Sequence, residues 1–463
     1  MSTIEVTSPF DDSVVGEVPF GSVAEVETAL DLARTTFDNH KNALPKYKRV
    51  EILEKVVEIM SSQVDELTKL CASEGGKPWI DSQVEVARAI NGVKLAIEAL
   101  GAQEGKEVAM GHTASSANRM AYTFKEPIGV VAAVSAFNHP FNLAVHQVIP
   151  AIAVGCSVII KPATQTPMSA IRLVEILEEA GLPKGWAQAV VCDRKGGELL
   201  ATSPKVNALT FIGSGAVGWY LNSKVAQGTR VALEHGGVAP VIVEPDADID
   251  DLIPSIGKGG FYHAGQVCVS VQRVFVHESI VDEVAAKLSS YASKLVVGNQ
   301  LDPKTEVGPL INNNEVNRVE EWVNEAKEKG GKILTGGNRI SASCYEPTVI
   351  LNPADDALVS TKEVFGPVVC VYSYSNIEEA FDRANQLEVS FQAAVFTKNI
   401  DTALRAVKRL NGTAVMVNDH TAFRVDWMPF GGAKASGLGL GGIHHSMEEC
   451  SNEKMMVIKS PVL

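Results

Sequence analysis

The sequence predicts an α/β protein built from two doubly wound units. Helical patterning fills the first 110 residues, short β-branched runs alternate with helix-length segments from residue 128, and a second alternation begins near Val274. Strands alternating with helices imply right-handed βαβ crossovers, and so mostly parallel sheets covered on both faces. A chain of 463 residues has room for two or three domains and a large buried core, taking about 150 residues per domain.

Taken in order, Val23, Val26, Ala29, Leu30 and Ala33 recur at three-to-four spacing, and Ile52, Leu53, Val56, Val57 and Ile59 do so more loosely, the period of an amphipathic helix. Gly75 and Gly76 close the helical stretch that follows. The mostly apolar residues 128–137 read as a buried strand region. Runs at 130–134, 158–160, 189–191, 208–212, 231–233 and 241–243 form the first alternation, each followed by an amphipathic segment or a Gly or Pro break. From Val274 the second continues through 349–351, 368–372, 393–396 and 414–417. Acidic residues 246–251 lack the glutamate that closes a calcium loop and suit a helix N-terminus instead.

Apolar residues make up 46% of the chain and charged residues 21%, which excludes disordered and fibrous classes. Forty-one Lys plus Arg against 55 Asp plus Glu leaves a net charge of −14, which repels nucleic acid and anionic membranes. Neither partner is expected. The first residues show no basic start or apolar leader, and no apolar run is long enough to span a bilayer. Seven widely spaced cysteines with no C-x-x-C pair indicate free thiols and a cytoplasmic location. His444 and His445 point apart on helix or strand with no third ligand nearby, so no metal site is expected.

Gly213-Ser214-Gly215-Ala216-Val217-Gly218 follows a strand-like run and opens a helical segment, the context in which G-x-G-x-x-G brings backbone N–H groups to a pyrophosphate. Glu234 lies 21 residues after Gly213, near the spacing of an acid on the adenosine ribose. Gly265-Gln266-Val267-Cys268 places a thiol in a Gly-led segment, where exposed and activated cysteines occur, although a Cys among valines is more often packing. Asn138 and His139 sit beyond the run at 130–134, where doubly wound sheets open their ligand crevice and an amide can donate to an oxyanion.

These segments together resemble the NAD(P)-dependent aldehyde dehydrogenase superfamily along nearly the whole chain. The matching pieces, in the family's order, begin with Pro127-Ile128-Gly129-Val130, Phe137-Asn138-His139-Pro140, Lys161-Pro162-Ala163 and Phe211-Ile212-Gly213-Ser214. They continue with Leu233-Glu234-His235-Gly236-Gly237, Gly265-Gln266-Val267-Cys268, Glu363-Val364-Phe365-Gly366-Pro367 and Pro429-Phe430-Gly431-Gly432. Residues 423–432 look most like the branch containing lactaldehyde dehydrogenase and other enzymes of small polar aldehydes.

The resemblance implies that Cys268 is the nucleophile and that Asn138 with the Cys268 N–H forms the oxyanion hole. It makes Glu234 the base that activates the deacylating water, against the ribose role suggested by spacing. It assigns the cofactor to Lys161, Gly213, Ser214, Gly218, Glu363 and Phe365. Thr164 stands where many NAD-preferring relatives carry Glu, so the cofactor is NAD or NADP. Gln147 replaces a common Lys, and His235 a common Leu.

The family's architecture implies a cofactor domain of residues 1–115 and 128–237 and a catalytic domain of 238–447. A small β oligomerisation arm of 116–127 and 448–463 then makes a homodimer or homotetramer. His139, Asn142, His146 and Arg424 fall at aldehyde-tunnel positions that are often apolar in relatives. A guanidinium there favours a short anionic aldehyde such as sulfoacetaldehyde, with neutral lactaldehyde or glycolaldehyde as the alternative. A pairing of Arg424 with Asp426 removes that argument. A CoA-acylating enzyme, a cysteine hydrolase and a non-catalytic binding protein are the competing classes. The combination of Asn138, Glu234 and Cys268 disfavours the binding protein, and Glu234 disfavours CoA.

Overall fold

In a computed structural model, which describes residues 2–39, 41 and 43–463, the helical first part of the chain is preceded by an antiparallel hairpin, Ser2–Thr7 with Val14–Phe20. The hairpin escapes the helical reading because its strands bury only Val6 and Val18, which pack on Val191. Helix Val23–Asp38 starts in a capping box between Ser22 and Glu25 and buries Val26, Ala29, Leu30 and Ala33, the stripe expected from periodicity. Helices Lys46–Ser62, Val64–Gly75 and Trp79–Ala102 follow, and Val64–Gly75 ends at Gly76, whose φ of +69° suits glycine.

Two sheets carry the molecule. The first has six strands in the order Gly437–Leu438, Arg230–Glu234, Ala208–Ile212, Val130–Val134, Ser157–Lys161, Ala187–Ala189, parallel except at the first pair. The second has seven, in the order Lys332–Thr335, Thr348–Leu351, Val368–Tyr374, Arg273–His277, Pro240–Val243, Gln392–Phe396, Ala414–Val417, with one antiparallel edge pair. Each sheet is sandwiched by helices, so its central strands are apolar on both faces. Burying one such Val or Ile contributes about 1.5–3 kcal/mol.

Two assignments change. The run at 241–243 belongs to the second sheet, where Pro240–Val243 lies between Arg273–His277 and Gln392–Phe396. Conversely, Gly437–Leu438 pairs back onto Glu234 and Leu233, and Ile443 and Met447 enter the core beneath the first sheet. The segment from 437 to 450 therefore closes over the first unit. A third, antiparallel sheet joins Arg119–Pro127 to Ser451–Lys459 over nine residue pairs, with the short strand Glu107–Val108 on the other side.

Candidate active site

Three backbone junctions meet at one cavity of about 570 Å³ between the two sheets. Strand Val130–Val134 leads to Asn138 and then to helix Pro140–Val154; strand Ala208–Ile212 leads to the glycine turn; and strand Arg230–Glu234 ends on the carboxylate. Ligands in doubly wound sheets bind at such strand ends. Asn138, His139, Asn142, Gly213, Ser214, Glu234, Cys268, Glu363, Phe365 and Arg424 all line this cavity.

Cys268 is half-buried, whereas the other six cysteines are buried, and all seven are free. Its loop is set by a tight turn in which His263, Ala264 and Gly265 have φ of 50°, 53° and 69°. A Cβ on Gly265 would stand 2.1 Å from the Gly366 carbonyl, so glycine is required by space as well as by φ. Gly237 N–H donates to the Cys268 carbonyl (3.1 Å), joining the Glu-x-Gly-Gly segment to the backbone of the cysteine loop. Burial pushes the Cys268 thiol well up, Glu234 and Glu363 push it further, and Arg424 opposes them. Burial likewise raises the Glu234 carboxyl, giving it the stronger proton affinity a general base needs.

The Asn138 amide donates to the Gln266 carbonyl at 2.9 Å, which fixes its plane. An amide has two N–H donors, so one is left for an oxyanion. Behind it, Glu85 Oε1 accepts from the N–H groups of Phe141 and Asn142 (2.9 and 3.0 Å) at the start of helix Pro140–Val154, and Lys77 pairs with Glu85 in full burial. Neither residue carries a sequence signal, because Glu85 acts across more than fifty positions and Lys77 acts through it.

The cavity fits a nicotinamide dinucleotide on three observations. Gly213 adopts φ +159° at the mouth of helix Gly215–Asn222, and the Ser214 hydroxyl makes no capping bond. Glu363 Oε1 is buried without a partner, and burial raises that carboxyl to about 8, so it suits a hydroxyl-bearing ligand. A side chain on Gly236 would strike Glu363, and one on Gly218 would strike the His235 ring, so both glycines keep the cradle open. His235 Nδ1 donates to the Gly213 carbonyl (2.9 Å), while its ring packs on Phe211 and Trp219.

Lys161 and Thr164 line an adjoining cavity of about 270 Å³ together with Arg194. Phe211 and Val217 are shared with the main cavity, so the two are continuous in the way an extended dinucleotide requires. Glu234 does not face Lys161 and Thr164; it faces Cys268, which departs from the spacing rule for a ribose ligand.

Around the aldehyde end, His139 Nε2 and the Tyr262 hydroxyl are hydrogen-bonded at 2.5 Å, and both Asn142 amide atoms are buried without partners. Arg424 lies with its guanidinium carbon 3.6 Å from the Phe430 ring centroid and makes no ion pair among the described residues. Asp426 instead pairs with Arg88 (2.7 Å) and His146 (2.8 Å). The alternative Arg424–Asp426 pairing is absent: Asp426 is taken by Arg88, a second guanidinium on the cavity wall that sequence reasoning missed. His146 is also corrected: it does not line this cavity, because its ring is turned to Asp426. Among the described residues no cluster of His, Cys, Asp and Glu has metal-binding geometry, and no helix is long and apolar enough to cross a membrane.

A family model described as "Aldehyde dehydrogenase family" matches residues 1–456. The 3-sulfolactaldehyde dehydrogenase of Priestia megaterium is 40% identical over 456 residues, 98% of this chain and 94% of that protein. The lactaldehyde dehydrogenase of Methanocaldococcus jannaschii is 38% identical over 460 residues, covering 98% and 97%. Among solved structures, aldehyde dehydrogenase 21 of Physcomitrella patens with its reaction product succinate superimposes with a TM-score of 0.95 at 36% identity, covering 99% of this chain and 95% of that one. A glyceraldehyde-3-phosphate dehydrogenase of Methanocaldococcus jannaschii complexed with NADP gives 0.94 at 36% identity, covering 99% of each chain.

Proposed function

Because the chain belongs to the aldehyde dehydrogenase family and is an NAD(P)-dependent oxidoreductase, we propose that its substrate is a short, polar, anionic aldehyde, oxidised to the carboxylic acid. The observation that carries this is the Arg424 guanidinium on the cavity wall with no carboxylate partner, and Arg88 beside the same space. Its fork matches a sulfonate, carboxylate or phosphonate. The unpartnered Asn142 amide supports a hydroxyl next to the aldehyde, since a buried donor left unpaired by an apolar substrate costs roughly 1–3 kcal/mol. A relative named for 3-sulfolactaldehyde, which carries a sulfonate and a hydroxyl, agrees with both features. Sulfoacetaldehyde satisfies the guanidinium alone. Neutral lactaldehyde is the second reading, favoured by the similarity to lactaldehyde dehydrogenases.

In this mechanism the Cys268 thiol loses its proton to solvent, and the sulfur adds to the aldehyde carbon. Asn138 and the Cys268 N–H stabilise the oxygen as it gains charge. When bound, the oxidised nicotinamide supplies the two-electron acceptor. Ser214, Gly213, Glu363 and Phe365 hold it in the main cavity, and Lys161 with Thr164 holds the adenosine end. Glu234 then draws a proton from water attacking the thioester, and the acid leaves. A cofactor domain of 1–115 and 128–237 with 437–447 packed onto it, a catalytic domain of 238–436 and an arm of 116–127 with 448–463 complete the reading, as a cytoplasmic homodimer or homotetramer. Seven free thiols support the reducing compartment.

The test is Arg424→Met assayed with sulfolactaldehyde, sulfoacetaldehyde, succinic semialdehyde and lactaldehyde. The expected result is a fall in kcat/KM of tenfold or more, about 1.4 kcal/mol, confined to the anionic aldehydes. Equal losses on lactaldehyde would refute the anionic substrate.

A further inference from the structure

One part of the main cavity wall is polar in a way that the thiol, the oxyanion donor and the guanidinium leave unused. His139 directly follows the oxyanion donor Asn138, Tyr262 directly follows helix Ile249–Phe261, and both line the cavity although they stand 123 positions apart. Tyr262 and Cys268 pack against the same small apolar cluster of Val267, Val269, Phe391 and Phe430, which sets the phenol on the thiol's side. The turn that carries Tyr262 is pinned on both flanks: its own N–H donates to the Lys258 carbonyl, and the His263 N–H donates to the Asp81 carboxylate at 3.2 Å.

Both members of the pair are neutral. Burial, with Lys77, His263, Arg88 and Arg424 around it, lowers His139 well below the usual histidine range. Burial, with the Asp81 and Glu85 charges, raises the Tyr262 hydroxyl well above the usual tyrosine range, against Arg88. The pair therefore has two polar hydrogens, one on the phenol and one on the imidazole, and the 2.5 Å contact between His139 Nε2 and the hydroxyl uses one of them. If the phenol donates, the ring hydrogen is left on Nδ1 and the phenol oxygen keeps a lone pair. If Nε2 donates, the phenol hydrogen is left over and Nδ1 keeps its lone pair. Either tautomer leaves one donor and one acceptor unused, and neither Nδ1 nor the hydroxyl has a second partner among the described residues. Asn142, three residues beyond His139, adds an amide whose two polar atoms are also unpartnered.

A spare donor beside a spare acceptor complements a hydroxyl, which both gives and takes a hydrogen bond. It does not complement a sulfonate or carboxylate, which only accept and which a guanidinium suits. With the aldehyde carbon at Cys268 and its oxygen at Asn138, the adjoining substrate carbon comes against the neighbours of those two residues. We propose that Tyr262 and His139 form a hydroxyl subsite, which selects aldehydes bearing a hydroxyl next to the carbonyl over the same aldehydes without it. The proposal rests on the reading of an aldehyde oxidised at Cys268 and deepens that of a polar substrate. Arg424 takes the anionic end, and the pair takes the hydroxyl. 3-Sulfolactaldehyde uses both, sulfoacetaldehyde only the first and lactaldehyde only the second. A substrate without the hydroxyl leaves the pair's spare donor and acceptor dry and unpaired, a loss that falls on kcat/KM.

The experiment compares kcat/KM within two matched pairs, lactaldehyde against propanal and 3-sulfolactaldehyde against 3-sulfopropanal, whose members differ only by the hydroxyl. Wild-type protein should favour the hydroxylated member of each pair by about tenfold or more, and Tyr262→Phe and His139→Phe should each lower that ratio about tenfold. A merely structural role changes both members alike and leaves the ratio standing. A wild-type ratio near one, which needs no variant to fold, overturns the proposal, and so does a ratio that survives both substitutions. Arg424→Met keeps the two readings apart, because it acts between the sulfonated and neutral pairs and not within either. Equal losses on both pairs there would refute the anionic substrate and leave the hydroxyl subsite in place, whereas an unmoved hydroxyl ratio in the Tyr262 and His139 variants refutes the subsite alone.

Discussion

Cys268 and Glu234 face one cavity; burial raises both, and the Glu234 charge raises the thiol further. Replacing the thiol by a hydroxyl in Cys268→Ser should cut turnover by about a thousandfold or more, because a hydroxyl is far less ionised than a thiol of pKa ~8.5. Normal turnover of folded protein would remove Cys268 from the mechanism. For Glu234 the working form is the carboxylate, and its affinity for protons is raised by burial. Deacylation therefore falls as pH drops through that raised value. Glu234→Gln should flatten this acid limb and reveal an NAD(P)H burst while cofactor binding, read by titration, stays the same. The identities of these two residues and Asn138 were legible from their motifs. Arg88 was not: it sits on a helix face in the first hundred residues, and only the fold carries it to Asp426, 338 positions later.

Helix Pro140–Val154 shows how residues far from any motif set the site. Its first turn holds Asn138 and His139 in place through Glu85 on helix Trp79–Ala102, and Lys77 neutralises that glutamate. Glu85→Ala would leave a buried ammonium without a partner, a loss of about 3–5 kcal/mol, measurable as a lower urea midpoint. The same variant frees the helix start, so kcat should fall more than KM rises. On the adenosine side, Arg194 heads helix Arg194–Thr202 and joins Lys161 on the wall of the smaller cavity, with no acid at Thr164. Arg194→Ala should weaken binding of 2′,5′-ADP about tenfold or more and leave 5′-ADP unchanged, since a charge-assisted contact to a phosphate is worth about 1.5–3 kcal/mol; equal affinities in calorimetry would assign Arg194 no part in cofactor choice. The β-branched runs made the strands visible, yet the sheet to which 240–243 belongs was hidden, because strand order depends on which crossovers pack together.

The three-stranded sheet leaves strand Ser451–Lys459 at an edge, with Met455, Met456, Val457 and Ile458 exposed at 52%, 47%, 46% and 39%. Tyr122 and Phe124 on the neighbouring strand are exposed as well. An apolar edge with unpaired backbone is a pairing surface, and isolated proteins of this kind protect it by covering it. Wild-type protein should run as a homo-oligomer of the 49.4 kDa chain in light scattering. Charges on the strand, as in Met456→Lys with Ile458→Lys, should shift it to monomer while the first-turnover chemistry persists. A monomeric wild type would dismiss the arm.

Periodicity and motif order were enough for the two α/β units, the reaction class, and the choice of Asn138, Glu234 and Cys268 as residues that line one cavity, because these depend on local patterning: strand runs of period two, a glycine turn, a cysteine after glycine. Side-chain pairing across the chain is a different matter. Whether Arg424 is free or held by Asp426, and whether His146 faces substrate or Asp426, turns on rotamers chosen in a packed interior, where one acid can serve only the cations that reach it. Helix Trp79–Ala102 brings Arg88 to Asp426, and Arg424 stacks on Phe430 and faces the cavity. No spacing along the chain encodes that outcome, since it is set by the burial of charged groups that must find partners in three dimensions.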